Sequence, residues 1–296
     1  MSARRGTYSI VAHCPETGEV GAAVQSHWFS VGSIVCWARA GVGAVCTQSI
    51  AEPAYGPRTL DRLAAGEAPE VALHAQLRAD EQAPFRQVAA VDADGRTAVH
   101  TGARCIAYAG HVHGAGFTTQ GNMMASDAVW GAMAEAYEAA GGALGRRLLA
   151  GLQAAEGAGG DARGRQSSAI VVAPGTGEPW RLSIDLRVED HPDPLGELER
   201  LLDLKDAYTA ATLGDDLTGE GRHEEAAAAY ERAAALAPGN HELLFWAGLA
   251  AALDGDLATG VARVRRAIDL QPGWRELLDR LEPDVAPSAA AVRAEL

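Results

Sequence analysis

The chain has 296 residues, 48% of them hydrophobic and 22% charged, with 39 acidic against 25 basic side chains and a formal net charge of −14. This is the composition of a globular protein long enough for two domains, and it excludes a disordered chain. The acid excess repels phosphate backbones and anionic lipid surfaces, so neither nucleic acid nor membrane is an expected partner, and no apolar run approaches the roughly 18 residues of a spanning helix.

In chain order, residues 7–12 and 20–26 are β-type runs around the turn signal PETG, and residues 33–37 and 42–48 form a second pair around Ala40-Gly41. Helical periodicity follows over residues 57–65 and 69–79. Residues 87–91 and 96–100 flank the hairpin sequence DADG; helical patterns return at 126–140 and 144–156; residues 167–173 and 180–186 close the series around PGTGEP. Hairpin-linked strands with helices gathered in two blocks predict antiparallel sheets covered by helices, an α+β domain. The two prolines of HPDPLGEL, residues 191–198, mark its end.

Beyond them the chain repeats. Gly214, Gly221, Ala233, Leu236, Pro238 and Gly239 recur as Gly248, Gly255, Ala267, Leu270, Pro272 and Gly273, an offset of 34 residues that matches a tetratricopeptide (TPR) helix pair. The expected organisation is a domain over 7–195, a TPR-like α-helical domain over 196–284 and a flexible tail over 285–296. Cys14, Cys36, Cys46 and Cys105 lack C-x-x-C spacing and read as reduced thiols. No secretory h-region follows the first residues, so the expected compartment is the cytoplasm.

The chemistry is diffuse by motif. No G-x-S-x-G elbow, phosphate loop or H-E-x-x-H helix is present. His111 and His113, with His100, are a weak metal pattern, and neither a metal nor another cofactor is expected. The stretch GAGFTTQGN, residues 114–122, reads as a glycine-rich turn ahead of a helix, a place for an oxyanion. GGDARGRQSS, residues 159–168, brings Asp161, Arg163, Arg165 and Ser167 to the entrance of a strand, either as an exposed polar loop or as a buried charged network. Lys205 is the sole lysine, so residues 1–204 offer no ammonium side chain for catalysis.

The segments TYSIVAHCPETGEVGAAVQSHWFSVGS, WARAGVGAVCTQS, PAYGPR, AVHTGARCIAYAGH, TTQGNMM, GGDARGRQSSA and DLRVEDHPDP resemble, in the same order, a bacterial and archaeal family catalogued as domain of unknown function 1028. The resemblance covers roughly residues 7–195. It implies the four-layer αββα sandwich of N-terminal-nucleophile (Ntn) hydrolases, in which the first residue of the mature first strand is the nucleophile. The matching position is Thr7, and a free α-amine of reference pKa about 7.7–8.0 would serve as its base.

By the same resemblance, Gln120, Gly121 and Asn122 belong to the turn beside the nucleophile, with Asn122 as an oxyanion donor. Asp161 with Ser167 or Ser168 steadies the amine. Ser26 or Arg39 tunes that amine in place of the missing lysine, and Gln48 and His100 line the substrate pocket. From the residues alone, Ser26, Thr47 and Gln48 read first as strand-end hydrogen bonding and His100 as a core histidine, while Asp161 reads either way, as that partner of the amine or as an ion-pair partner of Arg163 or Arg165. The family's C-terminal extension is often labelled peptidoglycan-binding, whereas here it reads as helix pairs.

Thr7 follows MSARRG, so it becomes a nucleophile only if the Gly6–Thr7 bond is cut. The expected function is therefore an Ntn amidohydrolase acting on a small amide or short peptide, homo-oligomeric, with a protein or peptidoglycan partner for its C-terminal domain. The alternative is a catalytically silent binding module of the same fold whose helix pairs make protein contacts.

Overall fold

The structure, a computed structural model, describes residues 6–296, and residues 1–5 lie outside the described residues. The chain forms two compact units that divide between Arg200 and Leu201. In the first, β1 (Thr7–His13) and β2 (Val20–Ser26) make a hairpin, and a helical turn, α1 (Gly32–Val35), leads to the hairpin of β3 (Cys36–Arg39) and β4 (Gly43–Ser49). Helices α2 (Tyr55–Ala64) and α3 (Pro69–Arg78) precede β5 (Arg86–Asp92), β6 (Thr97–Thr101), β7 (Gly110–Gly114) and β8 (Phe117–Asn122). Helices α4 (Val129–Ala139) and α5 (Leu144–Gly157) precede β9 (Ser167–Ala173) and β10 (Ile184–Val188). The strands build two antiparallel sheets, β10-β9-β2-β1-β8-β7 and β3-β4-β5-β6.

Strand alternation decides what each face meets. Val11, Ala22, Val24, Ala169 and Val171 of the larger sheet pack against Ala44, Cys46, Ala89 and Val91 of the smaller one. These side chains are mostly small, so the two sheets meet closely. One residue out of phase, Tyr8 faces α5, where its hydroxyl donates to Glu156 Oε2 at 2.8 Å. Burial, then the Glu156 carboxylate, pushes the Tyr8 phenol well above its usual pKa. Helices α4 and α5 cover the outer face of the larger sheet. Leu60, Leu63 and Leu73 of α2 and α3 pack on Val45, Val88 and Ala90 of the smaller. The layers thus run helix, sheet, sheet, helix.

Two expectations change. Residues 33–35, expected to open the strand over 33–37, belong to α1 instead, and the strand starts at Cys36. Residues 117–122, expected as a glycine-rich turn before a helix, are strand β8; the turn is only the β7–β8 hairpin, with Gly116 at φ +77. The physical reason is that β8 buries polar side chains, Thr118, Thr119, Gln120 and Asn122, so its sequence shows no apolar alternation.

The second unit is helical. The division falls within α6 (Pro194–Gly219), which is followed by α7 (His223–Leu236), α8 (His241–Leu253), α9 (Leu257–Leu270), α10 (Gly273–Arg280) and α11 (Ala289–Ala294). Gly221 and Gly255, one repeat apart, hold φ +74 and +105 in the turns before α7 and α9, where a side chain would be strained. Gly248 lets α8 and α9 approach, since a Cβ there would lie 2.8 Å from the Gly260 carbonyl oxygen. Asn240 caps α8 by accepting from the backbone N–H groups of Glu242 and Leu243. Residues 285–296 are not a loose tail: Ala289 and Val292 are fully buried in the cluster built by Phe245, Leu249 and Val264. A short alanine-rich segment has little helical pattern of its own, and its order comes from this packing. Among the described residues, no helix is long and apolar enough to cross a membrane.

Phe245 is the centre of this core, stacked on Trp274 at 4.6 Å between centroids and edge-on to Trp246 at 5.2 Å. Phe245→Ala is expected to cost about 3–5 kcal/mol. Calorimetry should show a separate, lowered transition for the helical unit, and an unshifted scan would contradict the packing described.

Candidate functional site

Pairing register gathers the site. Thr7 lies opposite Ser26 on one side and Asn122 on the other, and Ser26 lies opposite Ser167. These four form a polar row at the end of the larger sheet's inner face, in phase with Val11 and Val24. On the facing sheet Gln48 lies opposite Gln87. Gln48 Nε2 donates to the Thr7 carbonyl at 3.1 Å and to Gln87 Oε1 at 2.8 Å. Asn122 Nδ2 donates to the same two oxygens at 3.3 and 3.0 Å. Gln87 Nε2 donates in turn to the Gly121 carbonyl at 2.9 Å. This amide network fixes the main chain of residue 7 from both sheets. Gln48 Oε1 and Asn122 Oδ1 are buried here with no hydrogen-bond partner among the described residues. Unmet buried acceptors cost about 1–3 kcal/mol each, and a bound N–H donor would satisfy them.

The peptide bond between Gly6 and Thr7 is the focus of the cluster. The Gly6 carbonyl oxygen accepts from Thr7 Oγ1 at 2.5 Å, from Arg163 Nη2 at 2.7 Å and from Ser26 Oγ. Ser26 Oγ also lies 3.0 Å from Thr7 Oγ1, as the alternative acceptor for that single hydroxyl proton. Arg163 is held by Asp161, whose Oδ1 accepts from Arg163 Nε at 3.0 Å and from the Arg163 backbone N–H at 2.9 Å. Asp161 Oδ2 accepts from Arg163 Nη2 at 2.7 Å and from the His27 backbone N–H at 3.1 Å. A backbone bridge to Met124 anchors Asp161 further. Within the stretch 159–168, Asp161 is buried and holds Arg163 in a charged network, while Arg165 and Gly164 beside them are exposed.

The remaining candidates lie elsewhere. Ser167 stands in the polar row, but its hydroxyl donates to the Trp28 carbonyl and accepts from the Val31 N–H, which ties down the loop after β2. Ser168 donates to the Pro194 carbonyl at 2.9 Å. Arg39 pairs with Asp61 at 2.9 Å; its strand partner Gly43 is five residues along β4 from Gln48, about 17 Å at the usual rise. Gln120 Nε2 donates to Ser9 Oγ at 2.7 Å, one step deeper along the strands than Asn122. Gly121 contributes its carbonyl to Gln87, and the position of its missing Cβ is filled by Met124. His100, out of phase with Thr101, bonds the Ala83 carbonyl at 3.0 Å. Thr47 Oγ1 donates to the Glu52 carbonyl at 3.2 Å.

The sequence names Arg163 only as a partner of Asp161, without its bond to the Gly6 carbonyl as the cation of the site, and gives no sign of Gln87. The one available signal was the absence of lysine from residues 1–204, which leaves only arginine to supply that charge.

His111 and His113 bond Thr101 and Thr97 on the neighbouring strand β6. Burial, then His113 and His100, holds the His111 imidazole below its ordinary value of 6.5. The unfolded chain therefore takes up a proton that the folded chain resists. The stability His111 contributes is full above that value and is lost as the pH falls toward the folded one. In urea denaturation across a pH series, His111→Asn should flatten this part of the acid limb, and an unchanged limb would contradict it.

The fold and site define a mixed α+β protein with two antiparallel sheets whose first strand presents a threonine to a buried polar network. The chain belongs to DUF1028, a family of unknown function, whose model matches residues 7–198. It is similar to the crystal structure of protein SPO2555 from Silicibacter pomeroyi, also of DUF1028, at 37% identity and a TM-score of 0.61, covering 67% of this chain and 84% of that one. No curated protein matches the chain.

Proposed function

We propose that this protein is an N-terminal-nucleophile hydrolase of amide bonds. Thr7 becomes the terminal residue by cleavage of the Gly6–Thr7 bond and then attacks a small amide or short peptide. The observation that carries this reading is the Gly6 carbonyl, held by Thr7 Oγ1, Ser26 Oγ and Arg163 Nη2 at the bond to be cut. The helix, sheet, sheet, helix layering supports the four-layer Ntn sandwich.

In the first reaction Thr7 Oγ adds to the Gly6 carbonyl carbon, and the charge growing on the carbonyl oxygen is met by the Ser26 hydroxyl and the Arg163 guanidinium. The C–N bond breaks, the hydroxyl proton passes to the departing nitrogen, and an ester joins Gly6 to Thr7 Oγ. Water cleaves the ester, releasing residues 1–6 as a carboxylate and leaving Thr7 with a free amine and hydroxyl. That amine, beside Asp161, then takes the hydroxyl proton when Thr7 attacks a substrate amide. Arg163 supplies the positive charge for which the first unit has no lysine.

The helical unit is read as TPR-like. Its period of 34 residues, with Gly221 and Gly255 in matching turns, supports a role in binding a protein partner or a second copy of the chain.

An electrophile that labels terminal threonines tests the reading. Modification at Thr7 in the wild type and its loss in Thr7→Ala are expected. An unlabelled protein that still binds ligands would favour the silent binding module.

A further inference from the structure

Gly6 is buried, and an ideal Cβ on it would lie 2.8 Å from Asp161 Oδ1, 2.9 Å from Oδ2 and 3.0 Å from Cγ. A carbon that close to two carboxylate oxygens overlaps them, so either the residue or the wall must give. The wall is poorly placed to move. Asp161 has no exposed side-chain surface and a salt bridge of 2.7 Å to Arg163. Its two oxygens already take four hydrogen bonds, from the Arg163 backbone, Nε and Nη2 and from the His27 backbone. Four partners fill the acceptor capacity of a carboxylate, so the group faces Gly6 as a fixed polar surface with nothing further to offer a ligand.

From this we propose the substrate class: the hydrolase acts on acyl groups whose α-carbon carries no L side chain, namely glycyl and other unbranched acyl amides. The inference rests on the nucleophile reading above. In both self-cleavage and turnover the threonine oxygen bonds to an acyl carbon, and the acyl ester formed in the first reaction has the Gly6 α-carbon as its next atom. A substrate acyl group joined to the same oxygen, with its carbonyl held by the same Ser26 and Arg163 donors, places its α-carbon against Asp161. A hydrogen there is accommodated, and an L-configured methyl meets the carboxylate. The same wall accounts for a glycine at residue 6.

The test uses the full chain after release of residues 1–6. It is treated separately with the 4-nitrophenyl esters of N-acetylglycine and N-acetyl-L-alanine, and acylation at Thr7 is followed by intact mass and peptide mapping. The glycyl ester should acylate Thr7 faster by about tenfold or more, the effect of one methyl forced into a packed site. In parallel, Gly6→Ala should retain residues 1–6 while its circular dichroism and melting match Thr7→Ala, which is also uncut. Equal acylation by both esters in a wild type that releases residues 1–6 would overturn the substrate class and leave the nucleophile standing. A wild type that shows neither release nor acylation would overturn the nucleophile, and the substrate class with it.

Discussion

Thr7→Ala is expected to abolish cleavage of the Gly6–Thr7 bond and every turnover that depends on it, while Thr7→Ser retains both in part. The variant deletes the hydroxyl that donates to the Gly6 carbonyl and leaves the main chain held by Gln48 and Asn122. Its stability should therefore change by about 1 kcal/mol, one hydrogen bond's worth. Its hydrolytic rate should fall on the order of 10⁴-fold or more, the scale on which loss of a nucleophile is felt in serine hydrolases. Release kinetics and turnover on a common amide read the two effects apart. Full cleavage by Thr7→Ala would exclude the threonine as nucleophile.

Asp161→Asn should act first on stability. The aspartate is enclosed and the arginine is about a quarter exposed, at 0% and 26% of side-chain area, so the pair is screened less than a surface ion pair. Asparagine keeps the volume but turns one acceptor into a donor, facing either the His27 N–H or the Arg163 guanidinium. Breaking a buried pair costs about 3–5 kcal/mol, and partial exposure of Arg163 brings this to about 2–4 kcal/mol. For a unit of this size the melting temperature should drop by roughly 5–15 °C. Release of residues 1–6 should slow as well, because Arg163 loses the group that aims it at the Gly6 carbonyl. An unchanged melting temperature would mean that the network holds nothing together.

The sequence is most readable where local pattern and packing agree. Strands β1, β2 and β9 have buried residues on both faces and bracketing turns, and the helical repeat is visible because its glycines serve the same turn one period apart. Strand β8 is hidden because its buried positions carry threonine, glutamine and asparagine, which resemble a loop until the network they form is seen, and β7 is hidden because it is a short edge strand of glycine and exposed histidine with no buried position. In the site, Thr7, Ser26, Asn122, Gln48 and Asp161 converge, and every link between them spans at least 19 residues or a strand pairing. The pairing of Arg163 with the Gly6 carbonyl crosses 157 positions, and no spacing rule reaches that far. Arg39 and His100 failed to join for the converse reason. Each sits on a strand of the smaller sheet, but Arg39 lies at its far end and His100 is out of phase with its inner face.

Self-cleavage before Thr7 is read most directly from the mass of the purified chain. Intact mass and N-terminal sequencing of the wild type should find residues 1–6 removed and Thr7 first, with Thr7→Ala, expressed in the same way, retaining Gly6. A wild type that keeps Gly6 after prolonged incubation, indistinguishable at its terminus from Thr7→Ala, would contradict it.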